Sequence, residues 1–361
     1  MKRLLQYKVF TIILIPLFLS VSEIPADKHT KHKTIKQEFS VGTYATLRID
    51  NSYGNLNVIT WDQNKISIEV TVTTSGNDEE KVINKLNDIT VDFSASSNYV
   101  SAKTNFSNDK SNSWFSWGKN NNVNMKIDYI IKIPITNNVD LNNDYGSINL
   151  ETLKGYSKIN CDYGKITTKE LLGDSNKLSF DYTNNSYFEY IKNAEIHADY
   201  SSFTIAKANN IDLHADYTDS KIEETENIEY TCDYGSVKVS KVNNLKGKGD
   251  YLTVIIGDVY KNVEIASDYG SIKINQLMED AGNVSINSDY TGINIGFAPT
   301  YHFSFDINLE YASLKSSDGL EFLKKRLEST TKYYHGFYGN ANSGNMIKIT
   351  SEYGSVSLLK N

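Results

Sequence analysis

The 361-residue sequence predicts an all-β protein, a single-stranded parallel β-helix (β-solenoid) with coils of 17–21 residues, and three observations carry that expectation. The first is a repeat: Asp-Tyr-(Gly/Thr/Ser) recurs at Tyr145, Tyr163, Tyr182, Tyr200, Tyr217, Tyr234, Tyr251, Tyr269, Tyr290 and Tyr311, with Glu for Asp at the last. Tyr53 is an early copy and Tyr353 a late one, and the final gap of 42 residues is twice 21. A unit this short cannot be a propeller blade or a helical hairpin, but it suits one solenoid coil. The second observation is alternation. Four residues before Tyr the column reads Ile49, Leu141, Ile159, Leu178, Ile196, Leu213, Tyr230, Gly247, Ile265, Ile286, Ile307 and Ile349, while five before Tyr every copy but Ser285 is charged. Period two of this kind marks strands with one face inward. The third is that no proline stands between Pro134 and Pro299, as expected where strands are hydrogen-bonded on both sides.

The elements follow in order. Lys2, Arg3 and Lys8 precede an apolar run over 9–21 and then the polar Ser-Glu-Ile-Pro-Ala-Asp. This is the layout of a secretory signal peptide over residues 1–26, with a cleavage position after Ala26. The run is short of the roughly 20 residues that span a bilayer. Residues 27–135 are expected to hold an N-terminal cap and first coils. Within them 56–72 alternates as strand, 78–89 carries a Val82/Ile83/Leu86/Ile89 stripe suited to one short helix, and Tyr99–Phe106 is expected to pair with 123–135 as a hairpin excursion.

Residues 136–361 hold the solenoid repeats and a C-terminal cap. Ten coils from Tyr145 to Tyr311 at roughly 4.8 Å each make a rod about 43 Å tall, whose ends must be covered because open strand edges polymerise. A short capping helix over 318–327, a Tyr/Gly/Asn-rich loop and a last strand pair over 346–358 fill that role. From Tyr to the next inward residue the step is odd, so the chain must bend at Tyr-Gly-Ser. There Asp can accept from backbone N–H groups and Gly can take positive φ. Where Thr183, Thr218 and Thr291 replace Gly, a turn without positive φ is expected.

Composition narrows the function. Tyr is in excess, 25 against 14 Phe and 3 Trp. Beyond residue 26 the chain keeps 34 basic and 43 acidic side chains, a formal charge of −9, with only Arg48 and Arg326 as arginines. Such a chain is poorly suited to gripping phosphates, which argues against nucleic acid. No second apolar run is long enough to span a membrane. The expected location is therefore outside the cytoplasm: periplasm, outer-membrane surface or extracellular space. Cys161 and Cys232 fall in one inward column four coils apart, about 19 Å, too far for a bridge, so two free buried thiols are expected.

At this point the sequence resembles a known group, the bacterial "putative adhesin" family of exported β-solenoids of Bacteroidetes type. The resemblance rests on RIDNSYGNLNV near the start, IDYIIKIPITNNVDLNNDYGSINLETLKG at the entrance of the repeats, the repeated Asp-Tyr-Gly, and YGNANSGNMIKITSEYGSVSL at the end. It covers most of residues 36–360. It implies export and the solenoid fold, and it brings no catalytic residues.

Three constellations are candidates for chemistry. His197-Ala-Asp199 and His214-Ala-Asp216 sit at the same offsets from Tyr200 and Tyr217 on outward parity. Their four side chains on one face can ligate zinc or a similar ion, or they are solvated copies of one duplicated coil. The acids before each Tyr form a ladder in which unit charges 4.8 Å apart repel by roughly 0.9 kcal/mol in water; calcium or local hydrogen bonds must relieve it. Trp114, Phe115 and Trp117 cluster in the polar stretch 107–122, as ligand-binding aromatics for sugars or a membrane surface, or as a plug for the solenoid end. The Tyr column is open in the same way, between an exposed glycan-facing ladder and corner packing.

No Ser/His/Asp order, phosphate loop or His-Glu-x-x-His is present. The functional expectation is a non-catalytic adhesin, binding or scaffold protein without cofactor, with a surface glycan or envelope protein as partner. Two alternatives stand beside it: a carbohydrate-active β-helix enzyme, a lyase or hydrolase needing two placed carboxylates, and an envelope-stress sensory accessory.

Overall fold

The structure is a computed structural model and describes residues 28–106, 123–317 and 319–361. The expected signal peptide lies outside them, as do Trp114, Phe115 and Trp117. The described chain is all-β: 27 strands in one sheet, and one α-helix. No helix among the described residues is long and apolar enough to cross a membrane.

Through the repeats, each coil pairs in parallel with the next and in whole-residue register. The inward column four before Tyr pairs with itself throughout: Ile159 with Leu141, Leu178 with Ile159, Ile196 with Leu178, Leu213 with Ile196, and on to Ile286. These residues are fully buried, and coil upon coil they make one continuous core. Inside parity shifts three times in the Tyr217 coil: Ile205 and Ala208 are both buried across Ala206 and Lys207, Ala208 and Ile211 are both buried across Asn209 and Asn210, and the parity shifts again at Tyr217. The coil thus bends at three corners, two of which carry the Asn and Tyr columns.

At the Tyr corner the structure reverses the expected roles. Tyr itself takes positive φ, between 48° and 63° at all twelve copies, including those followed by Thr183, Thr218 and Thr291. The Gly after it is required for space. A Cβ on Gly146 would lie 1.8 Å from the carbonyl oxygen of Gly54, and one on Gly164 would lie 2.0 Å from that of Gly146. Where Thr183, Thr218 and Thr291 stand instead, their hydroxyls donate to the carbonyls of Asp181, Asp216 and Asp289.

The sheet is mixed: beside the parallel pairing of the repeats it contains antiparallel strands at both ends. His29–Ser40 runs antiparallel to Lys65–Gly76, which runs antiparallel to Val123–Pro134. At the other end Phe303–Glu310, Thr331–Tyr338 and Glu321–Leu327 form an antiparallel meander. The physical reason is the open ladder of N–H and C=O groups that a stack of parallel coils leaves at each end. Antiparallel strands cover it, and the outermost ones carry Lys31, Lys33 and Lys36 or Lys324, Lys325 and Arg326, charges that discourage further pairing.

Three local expectations change with it. Tyr99–Phe106 and Val123–Pro134 do not form a hairpin together. The first pairs with Ile89–Ala95 and Thr46–Ser52, the second with Lys65–Gly76 and Leu56–Trp61, so each extends one arm of the first coil. The capping helix expected over 318–327 is the strand Glu321–Leu327, because pairing with Thr331–Tyr338 satisfies its backbone and overrides a weak local preference. The stretch 56–72 breaks into Leu56–Trp61 and Lys65–Gly76. The N-terminal helix does form, at Glu79–Asp88, with the Asp78 side chain accepting from the Lys81 N–H; only Val82 on it is fully buried.

The coil order is not the chain order. The last coil, Met346–Glu352 and Ser355–Lys360, lies between the Tyr290 and Tyr311 coils, parallel to both. The gap of 42 residues thus contains a cap and an insertion, and Tyr311 marks the outermost corner.

Tyr230 and Gly247 break the aliphatic column together, and the structure shows why. They are register partners, and a Cβ on Gly247 would lie 2.0 Å from the Tyr230 ring, so the ring fills the room that Gly leaves. Its hydroxyl is buried with no partner, and burial pushes the phenol pKa far up. Cys161 and Cys232 are buried and free, with burial raising both thiols to about 12. Two substitutions separate these effects in urea unfolding. Tyr230→Phe is expected to stabilise by about 1 kcal/mol, since it removes an unpaired buried hydroxyl. Gly247→Val is expected to cost about 3 kcal/mol by overpacking, most of it recovered when Tyr230→Leu is added.

Candidate functional site

In-register pairing places identical side chains above one another, so the outward surface is a set of columns. At the Tyr corner twelve phenol rings stack in one ladder, with centroids 4.7–5.2 Å apart and planes within 9° of parallel. Each ring is roughly half exposed, from 37% at Tyr53 to 55% at Tyr311. Because the faces are taken by neighbouring rings, the ladder presents edges and hydroxyls. A sugar has no free ring face to lie on along it. Each Tyr in the left-handed region costs about 1–3 kcal/mol, and each stacked pair returns about 0.5–1.5 kcal/mol, so stacking offsets part of the strain.

The acidic ladder is relieved locally. Asp162 Oδ1 accepts from the Asp181 N–H at 3.2 Å, Asp199 from Asp216 at 3.0 Å, and Asp233 from Asp250 at 2.7 Å. Each Tyr N–H in turn donates to the carbonyl of the acid in the next coil, as Tyr217 does to Asp233 at 3.0 Å, except at the outermost Tyr311, which donates to Thr330. Repulsion leaves a trace: the Asp144 and Asp181 carboxyls are raised, first by burial, with neighbouring aspartates adding to it.

The four residues expected as a metal centre do not converge. His197 and His214 stack ring on ring, centroids 4.9 Å apart at 11°. Their Nε2 atoms turn to Glu195 at 3.0 Å and Asp212 at 3.3 Å, whereas Asp199 points its carboxylate at the Asp216 N–H. The imidazoles and the two aspartates thus turn to different partners. Among the described residues no group of three or more His, Cys, Asp or Glu is placed to hold a metal ion. The cap tyrosines separate too: Tyr334 is buried, Tyr338 packs on Phe297 and Phe303, and Tyr333 donates to Asp306.

The feature that sequence reasoning missed lies at the Asn corner. Asn193, Asn210, Asn227, Asn244 and Asn262 form a ladder in which each Nδ2 donates to the Oδ1 of the coil before, at 2.6–3.1 Å. Asn283 N–H continues it to Asn262 Oδ1 at 2.9 Å. The signal was present in the chain, Asn seven residues before Tyr in coil after coil, but it has no hydrophobic period to draw the eye. Beside this ladder runs a groove of about 750 Å3. Its lining includes the asparagines, the apolar Ile211, Ile228, Leu245 and Val263, and a charged column of Glu195, Asp212, Glu229, Lys246 and Glu264. Lys177 pairs with Glu195 at 2.8 Å and Lys246 with Glu229 at 2.7 Å. Hydrogen bonds from Lys177 and His197 hold the Glu195 carboxyl down at about 2.

The Tyr ladder has a titration signature. The Tyr200 and Tyr234 phenols are raised, first by burial and then by the neighbouring phenol of Tyr217. A phenol raised on folding adds stability that is complete below the unfolded value and is lost as pH rises through the folded one. Absorbance titration is therefore expected to show phenols ionising above the free-tyrosine range, with melting temperature falling over the same alkaline interval. Tyr217→Phe keeps the stack, removes one phenolate and is expected to move its two neighbours back toward the ordinary value.

No family model matches the chain, and no curated protein does. Among solved structures it is similar to a "putative cell adhesion protein" from Clostridium sporogenes, at 10% identity over 92% of this chain and 100% of that one, TM-score 0.22. It is likewise similar to a "putative adhesin" from Bacteroides fragilis, at 10% identity over 91% and 97%, TM-score 0.31. A third similarity is to a "putative adhesin" from Parabacteroides distasonis, at 11% identity over 73% and 93%, TM-score 0.35.

Proposed function

We propose that the chain is an exported β-solenoid that acts as a non-catalytic binding protein of the cell envelope or surface, and that it holds a linear glycan lengthwise along the Asn-corner groove. The observation that carries this reading is the groove itself, with one amide and one charged or polar side chain repeated at the coil spacing. A glycan offers the matching pattern, since each sugar unit presents hydroxyls at its rim at a regular spacing. The acidic excess in the groove repels phosphate-bearing polymers. The basic, then apolar, then polar order of residues 1–26 supports export.

The state of the carboxylates supports the non-catalytic reading against a hydrolase. Glycoside cleavage needs a general acid with a raised pKa. Glu195 is held at about 2 by Lys177 and His197, and burial and like charge raise Asp144 and Asp181 within the structural ladder at the Tyr corner, away from the groove.

The test is an array of immobilised linear polysaccharides probed with the purified protein. Saturable binding without release of new reducing ends is expected. The double variant Asn210→Ala and Asn227→Ala is expected to weaken it at least tenfold while folding as before. Full binding by that variant removes the groove from the reading, and released sugar ends replace it with the enzyme alternative.

A further inference from the structure

The position of the last coil in the stack is at odds with its position in the chain. Met346–Glu352 pairs along its length with Val284–Asp289 on one side and Phe303–Glu310 on the other. Ser355–Lys360 does the same between Gly292–Phe297 and Ser313–Ser317. The Tyr353 ring is stacked between Tyr290 and Tyr311, at 4.7 and 4.9 Å. Two backbone bonds repeat the coil-to-coil pattern on either side, Tyr290 N–H to the Glu352 carbonyl and Tyr353 N–H to the Glu310 carbonyl. Every one of these partners lies before residue 318. The segment is tied to the preceding cap only by residues 339–345, which contain no strand and include Gly339 and Gly344 at positive φ.

A slot therefore exists in the fold before its filler does. The outer edge of Phe303–Glu310 is covered by Thr331–Tyr338. Its inner edge, and the upper edge of the Tyr290 coil, have no ladder until residues 346–360 arrive. Two facing strand edges with an apolar floor form an acceptor for any strand of matching pattern. The matching pattern is this chain's own: Ile347 and Ile349 inward, Tyr353 at the corner, Val356 and Leu358 inward.

We propose that the gap between the Tyr290 and Tyr311 coils is a strand-acceptor site that residues 346–360 of a second copy can enter, so that two rods join by reciprocal exchange of their last coils. Nothing in the slot distinguishes its own segment from the partner's, because every ladder bond and stacked ring is the same in either case. The choice is left to the connection. A reciprocal exchange closes on itself as a symmetric dimer, adding no new edge.

The connection is the variable to test. From Tyr338 to Met346 the chain must pass across two strand spacings, about 9.6 Å. Deleting residues 340–345 leaves one connecting residue, whose two Cα steps reach about 7.6 Å. In the full chain so shortened, the segment cannot return to its own slot, a condition that favours exchange. Light scattering is expected to give twice the monomer mass, and a folded monomer overturns the proposal.

A second measurement uses the intact connection, so that it stands even if the deletion prevents folding. Ser288 and Ser351 approach at 3.5 Å across the slot. Two full-length chains without native cysteines (Cys161→Ala, Cys232→Ala), one carrying Ser288→Cys and the other Ser351→Cys, are unfolded, mixed and refolded at rising concentration, then oxidised. An interchain disulfide that grows with concentration is expected. Its absence at every concentration, in chains that have regained their β signal, overturns the proposal.

Discussion

Everything in this molecule depends on coils stacking in parallel without a shift of register. The Asp-Tyr corner enforces that rule with two bonds to one residue of the following coil: the Asp199 carboxylate accepts from the Asp216 N–H, and the Tyr200 N–H donates to the Asp216 carbonyl. A slip of one residue would turn every inward isoleucine to solvent. It would also break the phenol stack, which offsets part of the strain of the left-handed backbone at each corner. The corner is thus strained and secured by the same residue.

Exact superposition of like on like has opposite consequences for different side chains. Aliphatic residues gain, since a column of Ile and Leu packs into one unbroken core. Asparagine gains as well, because its amide is donor and acceptor at once and can chain along the axis. Charges lose, and the chain answers in several ways. The aspartates are given backbone donors, Glu195 and Glu229 are set against Lys177 and Lys246, and the imidazoles of His197 and His214 are each turned to a carboxylate two residues away. These local contacts give the repeated acids partners within the protein itself. Column exceptions are solved jointly, as Tyr230 and Gly247 show by sharing one volume across two coils.

Much of this was legible beforehand. The tyrosine spacing, the aliphatic column and the absence of proline were enough for the coil, the inward residues and the separation of the two thiols. The ends were less legible, since a strand such as Glu321–Leu327 is shaped by its partner and its own seven residues read equally well as a helix. At the expected His/Asp centre the imidazoles turn to Glu195 and Asp212 and Asp199 turns to the Asp216 N–H, because each side chain's partner is set by its neighbours in space and not by shared parity alone. The Asn groove was overlooked because polar ladders leave no hydrophobic trace.

The sequence alone determined that this chain repeats, which residues point inward and where each coil turns, because period two and a fixed corner are properties of a short stretch of backbone. Only the tertiary structure decided the spatial order of the coils, with the last one seated before the outermost. It alone decided which outward residues meet in a groove and which of Tyr or Gly takes the left-handed backbone. These are set by what lies one coil above or below, some 17 to 63 residues away along the chain. No local pattern records a neighbour at that distance.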